Sequence, residues 1–178
     1  TFFRTHTAEF FEFYRDKMLY TSAKPNAAHL KLAEWERSGK LAAVITQNID
    51  GLHQAAGSKN VLELHGSVWR NKCVKCGKKY PLEAVADSVG IPRCACGGVI
   101  KPQVVLYEES LDSSTLEKSV DYIRSADTLI IGGTSLNVYP AAGLIDFFEG
   151  DNLVVVNKGE TARSVNGSLV IDSPIAEF

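Results

Sequence analysis

Two cysteine pairs, Cys73-x2-Cys76 and Cys94-x-Cys96, restrict this chain more than any other feature. Four thiols offered by two tight turns match the donor set of a tetrahedral zinc site, and such a site forces the two turns together whatever surrounds them. Gly77, Gly97 and Gly98 follow the pairs and let the backbone turn its N–H groups toward the sulfurs. Four cysteine ligands leave no open coordination position, so the ion is expected to be structural. Four buried free thiols, or two disulfides, are the competing readings of the same residues. The adjacent Lys72, Lys75, Lys78 and Lys79 read as a solvated face.

The remainder suits a chain able to bury one substantial core and a small satellite. Of its 178 residues 45% are hydrophobic and 22% charged, and the net charge of −2 gives no electrostatic reason to expect nucleic acid or an anionic membrane as a partner. No apolar stretch approaches the roughly 20 residues of a membrane span. "TFFRTHTAEFF" lacks the cationic start and apolar block of a signal peptide. Paired cysteines of the metal-binding kind point to a reducing, cytoplasmic setting.

Periodicity divides the chain into three parts. Residues 1–40 read as a helical segment, with Thr7 as a cap before Phe10, Phe11, Tyr14 and Met18, and a restart at Pro25-Asn26 running to Gly39. Leu41 to Thr46 and Val61 to Leu64 read as strands. Residues 71–99 form the cysteine module. Thr115 to Ser125 reads as a helix. Then Thr128–Ile131, the turn "GGTS", a helix over Ala141–Phe148 and a strand over Leu153–Val156 spell a βαβ unit with parallel strands, to which Leu169–Ile171 adds one more. The fold class is therefore α/β: a parallel sheet from 41–70 and 100–178, with the small module inserted.

In such sheets ligands lie beyond the carboxyl ends of the strands. Four strand ends carry polar groups there. Gln47, Asn48 and Asp50 follow the first, His65 the second, Gly133, Thr134 and Ser135 the third, and Asn157, Lys158 and Gly159 the fourth. All four are expected on one edge of one sheet. Among the histidines, His65 stands between an apolar strand and a glycine and reads as a general base, whereas His6, His29 and His53 read as structural or exposed.

"PNAAH", "TQNIDGLHQAAG", "ELHGS", the cysteine module, "KPQVVLYEE", "GGTSLNVYPAAG" and "VVVNKG" occur in the order found in the sirtuins, NAD-dependent protein deacylases, and the chain resembles their bacterial cytosolic members over nearly its whole length. The resemblance implies a Rossmann-like domain with a zinc-ribbon module, and NAD and Zn2+ as cofactors. It implies that Asn48, Ile49 and Asp50 hold the nicotinamide end, with Asn48 also counted as catalytic and Gln47 near the ribose. His65 would be the base that takes a proton from a ribose hydroxyl. Gly133, Thr134 and Ser135 would meet the adenosine half, flanked by Asn157, Lys158 and Gly159. Val105 and Tyr107 would bind an extended acyl-lysine peptide by strand addition. The products would be free lysine, nicotinamide and O-acyl-ADP-ribose.

Two departures from the family pattern accompany this. The glycine-rich cofactor loop, G-A-G-x-S followed by G-I-P-x-F-R, has no counterpart in these residues, so the 178 residues alone are expected to bind NAD poorly. The family's "FGE" stands here as Tyr107-Glu108-Glu109. Mono-ADP-ribosyl transfer, or a catalytically silent zinc-ribbon binding protein, are the alternatives to deacylation.

Overall fold

Helix formation starts earlier than Thr7. The computed structural model describes residues 2–159 and 168–177, and its first element, α1, is Phe2–Thr5. Because the chain is already helical there, the Thr7 hydroxyl donates to the Phe3 carbonyl at 2.9 Å, and His6 takes the capping position of α2, Thr7–Lys17. The restart at Asn26 is as expected. Asn26 caps α3, Ala27–Arg37, by accepting from the His29 N–H at 3.1 Å, while the His29 ring meets the Asn26 N–H, a reciprocal capping box. Gly39, at φ +74°, supplies the left-handed residue just past the helix.

The chain divides into two compact units. The first comprises Thr1–Lys24, Thr46–Leu52 and His65–Leu111. Its sheet is antiparallel: β3 (Gly66–Cys73) lies between β4 (Lys79–Tyr80) and β5 (Ile100–Val104), with Cys73 opposite Ile100 and Gly66 opposite Val104. Its core joins Phe10, Phe11 and Tyr14 of α2 to Val68, Cys73, Ile100 and Val104 of the sheet, and to Leu82 and Val85, the latter on the short helix α4, Glu83–Ala86. Phe11 is fully buried and meets Phe3 and Phe10 edge to face.

The second unit comprises Pro25–Ile45, His53–Leu64 and Asp112–Phe178. Here α5, Ser113–Ser125, is capped by Asp112, whose carboxylate accepts from the Thr115 N–H at 2.8 Å. Three strands follow, β6 (Thr128–Gly132), β7 (Asn152–Asn157) and β8 (Leu169–Asp172), parallel and in that order. The helix expected between β6 and β7 is present as a 3-10 helix, Ala141–Phe147. Gly143 weakens an α-turn, and the bonds from Gly143 N–H to Pro140 and from Phe148 N–H to Ile145 close over three residues.

The expected strand at 41–46 is confined to β1, Val44–Thr46, which pairs with β2, Val61–Glu63, in a separate two-stranded sheet. The four polar strand ends therefore do not share one hydrogen-bonded sheet among the described residues. Among the described residues β6 pairs with β7 and β1 with β2, each at the end of its sheet's strand order.

Candidate active site and metal centre

The first unit holds the loop Gln47–Gly51 against residues 65–69 by three bonds to successive parts of its main chain. The His65 Nδ1 lies 2.9 Å from the Gln47 carbonyl, the Val68 N–H donates to the Ile49 carbonyl at 3.0 Å, and the Trp69 Nε1 donates to the Asp50 carbonyl at 2.7 Å. Within the loop, Thr46 Oγ1 accepts from the Asn48 N–H at 3.1 Å and Asp50 Oδ1 from the Leu52 N–H at 2.8 Å. The Asn48 side chain is exposed and Gln47, Ile49 and Asp50 are half-buried. A carbonyl has no proton to give, so Nδ1 of His65 carries the hydrogen in this contact. In the neutral ring Nε2 then keeps its lone pair, which is the arrangement a general base requires.

A further bond and the glycine that follows place His65 itself. Its carbonyl accepts from the Val105 N–H at 2.9 Å. Gly66 follows with φ +77°, and a Cβ there would strike the Gln103 carbonyl across the β3–β5 ladder. Gly66→Ala is therefore expected to cost at least about 2 kcal/mol, lowering Tm by at least about 4 °C in thermal unfolding. An unchanged Tm would show that Gly66 is dispensable.

The expected peptide strand is partly committed. Val105 spends its N–H on His65, and the Leu106 N–H donates to the Glu109 carboxylate at 3.0 Å. Lys101 also bonds Glu109, at 2.9 Å. Burial raises the Glu109 carboxyl, but the Leu106 N–H and the Lys101 ammonium together hold it below its ordinary value. Glu108, the middle residue of Tyr107-Glu108-Glu109, sits at φ +71°. Tyr107 is 96% exposed, an open side chain beside the His65 strand.

The four sulfurs of Cys73, Cys76, Cys94 and Cys96 all lie within 4.8 Å of one another, with Cys73–Cys96 at 3.5 Å and Cys76–Cys94 at 3.6 Å. A tetrahedral zinc with bonds of about 2.3 Å needs sulfurs about 3.8 Å apart, so the donor set fits. All four thiols are free, which removes the disulfide reading. Gly98 is required here: a Cβ on it would come within 2.6 Å of the Cys73 sulfur. The Cys96 N–H and then the Tyr80 hydroxyl, 3.0 Å away, pull the Cys94 thiol down to about 6. The Cys76 backbone likewise lowers Cys73. Cys96 is pulled down by the Gly98 N–H, but bonding to the neighbouring sulfurs, Cys73 first, pushes it up to about 11. Sequence reading missed Tyr80; its place seven residues after Cys73 marks only the strand β4 that carries it back to the metal centre.

In the second unit, β6 and β7 end side by side, with Gly132 paired to Val156. The Gly133 N–H donates to the Val156 carbonyl at 3.1 Å. Gly133, at φ +62°, and Gly159, at φ +85°, have no described atom within 4 Å of where a Cβ would stand. Thr134 Oγ1 turns inward to the Leu136 N–H at 3.2 Å, and Ser135 is exposed. Asn157 Nδ2 donates to the Gly159 carbonyl at 3.3 Å, and the Gly159 N–H to Asp172 at 2.9 Å. Glycines without a side chain to block approach, beyond parallel strands, suit a nucleotide. Of the other histidines, His29 caps α3 and its ring lies 4.6 Å from that of His53.

A Rossmann-like parallel sheet in one unit, and in the other a four-thiol module carrying a polar loop and a histidine, are the class of fold found in sirtuins. The Sir2 family profile matches residues 1–140, and the chain belongs to the Sir2 family. The NAD-dependent protein deacetylase of Clostridium acetobutylicum is 59% identical, over 99% of this chain and 73% of that protein. A solved Sir2 complex with a p53 peptide and NAD+ superposes with a TM-score of 0.92 at 42% identity, covering 99% of this chain and 76% of that one. A Sir2 complex with the inhibitor EX-527, 2′-O-acetyl-ADP-ribose and deacetylated p53 peptide gives the same TM-score of 0.92 and 42% identity, over 99% and 78%.

Proposed function

We propose that this chain is the greater part of an NAD-dependent protein-lysine deacetylase in which His65 is the general base. The contact between His65 Nδ1 and the Gln47 carbonyl carries the reading, because it leaves Nε2 as the proton acceptor. When bound, NAD supplies a departing nicotinamide and an electrophilic ribose carbon. Asn48 and Asp50 orient the nicotinamide end, beside Gln47 and Ile49, and the loop carboxylate and amides face charge that develops there. His65 Nε2 takes a proton from a ribose hydroxyl. Gly133, Thr134, Ser135, Asn157, Lys158 and Gly159 hold the adenosine half. Val105 and Tyr107 flank the acyl-lysine peptide. Cys73, Cys76, Cys94 and Cys96 hold zinc, which with four thiolates has no open position and serves the fold alone.

No helix among the described residues is long and apolar enough to cross a membrane. Four unpaired thiols suit a reducing compartment, and we assign the enzyme to the cytoplasm. The test is to incubate the full-length protein with an acetyl-lysine peptide, with and without NAD+, and identify products by mass spectrometry. Deacetylated peptide, nicotinamide and O-acetyl-ADP-ribose, all dependent on NAD+, are the expected result. ADP-ribosylated protein without deacetylation would replace this reading with transfer, and no NAD+ consumption would leave a binding protein.

A further inference from the structure

Trp69 lies beside the cofactor loop and has no part in the roles assigned above. Its side chain is 47% exposed, an expensive place for so large an apolar ring. Two contacts account for it. Nε1 donates to the Asp50 carbonyl at 2.7 Å. The same ring covers Gly51, where a Cβ would come within 2.7 Å of Nε1 and 2.8 Å of Cδ1. Gly51 also holds φ +75°, so a side chain is disfavoured there twice over. The indole thus grips the Asp50–Gly51 peptide from outside, while the Asp50 carboxylate accepts from the Leu52 N–H on the other side of that residue. Turning the peptide would require breaking one hold or the other.

We propose that Trp69 is a positioning residue for the nicotinamide end of the site, acting through the Asp50–Gly51 peptide without touching the reacting atoms. The role rests on the deacetylase reading above. It predicts that the indole N–H, and not merely the bulk of the ring, sets how well the loop receives the cofactor.

The experiment uses the full-length, zinc-loaded protein and its Trp69→Phe, Trp69→Ala and Trp69→His variants, with steady-state kinetics in NAD+ and in acetyl peptide. Trp69→Phe keeps a ring over Gly51 and loses the donor. It is expected to raise KM for NAD+ and the inhibition constant of nicotinamide about fivefold each, the equivalent of one neutral hydrogen bond of about 1 kcal/mol. Trp69→Ala should raise both further. Trp69→His, which returns an N–H at a similar reach, should recover most of the loss. The peptide KM and kcat at saturating NAD+ should stay within about twofold, since only binding common to ground and transition states is lost. Equal NAD+ KM values in wild type and Trp69→Phe would overturn the role, as would a peptide KM or Tm that moves in step. An active wild type with unaltered variants sinks the role alone. A wild type that deacetylates nothing with NAD+ sinks the enzyme reading and this role together.

Discussion

Replacing His65 with alanine should reduce NAD+-dependent deacetylation by about 10²–10⁴, the range expected for loss of a general base. The size of the effect separates two explanations. His65 also bonds the Gln47 carbonyl, so its removal loosens the loop as well as deleting the base. Loss of one neutral hydrogen bond accounts for only about 1 kcal/mol, or roughly fivefold. A fall of a hundredfold or more in deacetylated peptide per unit of folded enzyme therefore requires the chemical role. Circular dichroism and thermal unfolding of the variant should stay close to wild type, because the His65 main-chain bond to Val105 survives the substitution. A His65→Ala enzyme retaining activity within about tenfold would remove His65 from the chemistry and leave it as a loop support.

Removing zinc should produce the second large effect, through folding and not through catalysis. Two of the four ligands, Cys73 and Cys94, belong to the core that also contains Phe10, Phe11 and Val104. Structural zinc sites contribute directly to folding free energy, and chelation should lower Tm by at least about 10 °C. Activity should fall along the same curve as folded fraction and return with added zinc. A metal-free protein with wild-type Tm would refute the structural role. The pH dependence has a defined sign. Cys94 is depressed to about 6 from an ordinary value of 9.0, so in the metal-free protein the stabilisation of its thiolate is full above 9.0 and lost as pH falls through about 6. Zinc uptake, which requires thiolates, should weaken as pH falls in a competition titration against a chromogenic chelator.

Much of this was legible in the residues because the signals were local. The cysteine spacing announced the metal centre, and the parallel strands about the "GGTS" turn followed from apolar runs bounded by glycine. Asn26 and Gly39 marked the limits of α3. What stayed hidden depends on partners distant in sequence. β3 reads as polar, "GSVWRNKC", because its buried set includes Ser67 and Asn71, both under 3% exposed. Asn71 earns its burial with bonds to Val68 and Pro81 that no periodicity reveals. The Lys101–Glu109 pair was equally silent, since the strand that holds Lys101 ends at Val104 and no regular repeat extends to Glu109. Thr7 failed as a cap because a preceding turn of helix removed the need for one. The glycines that end β6 and β7 were visible in the sequence, whereas the pairing of strands into separate sheets was not, because apolar runs specify strands and not their neighbours.

The loop at Gln47–Gly51 divides its labour by atom type. Its shape is written in carbonyls, at Gln47, Ile49 and Asp50, each held by a donor from residues 65–69. None of these bonds involves the side chains of Gln47 or Asn48. Substitution at those two positions can thus change what the loop does to a ligand while leaving how the loop is built untouched. A scaffold of this kind lets chemistry drift without the fold having to be relearned.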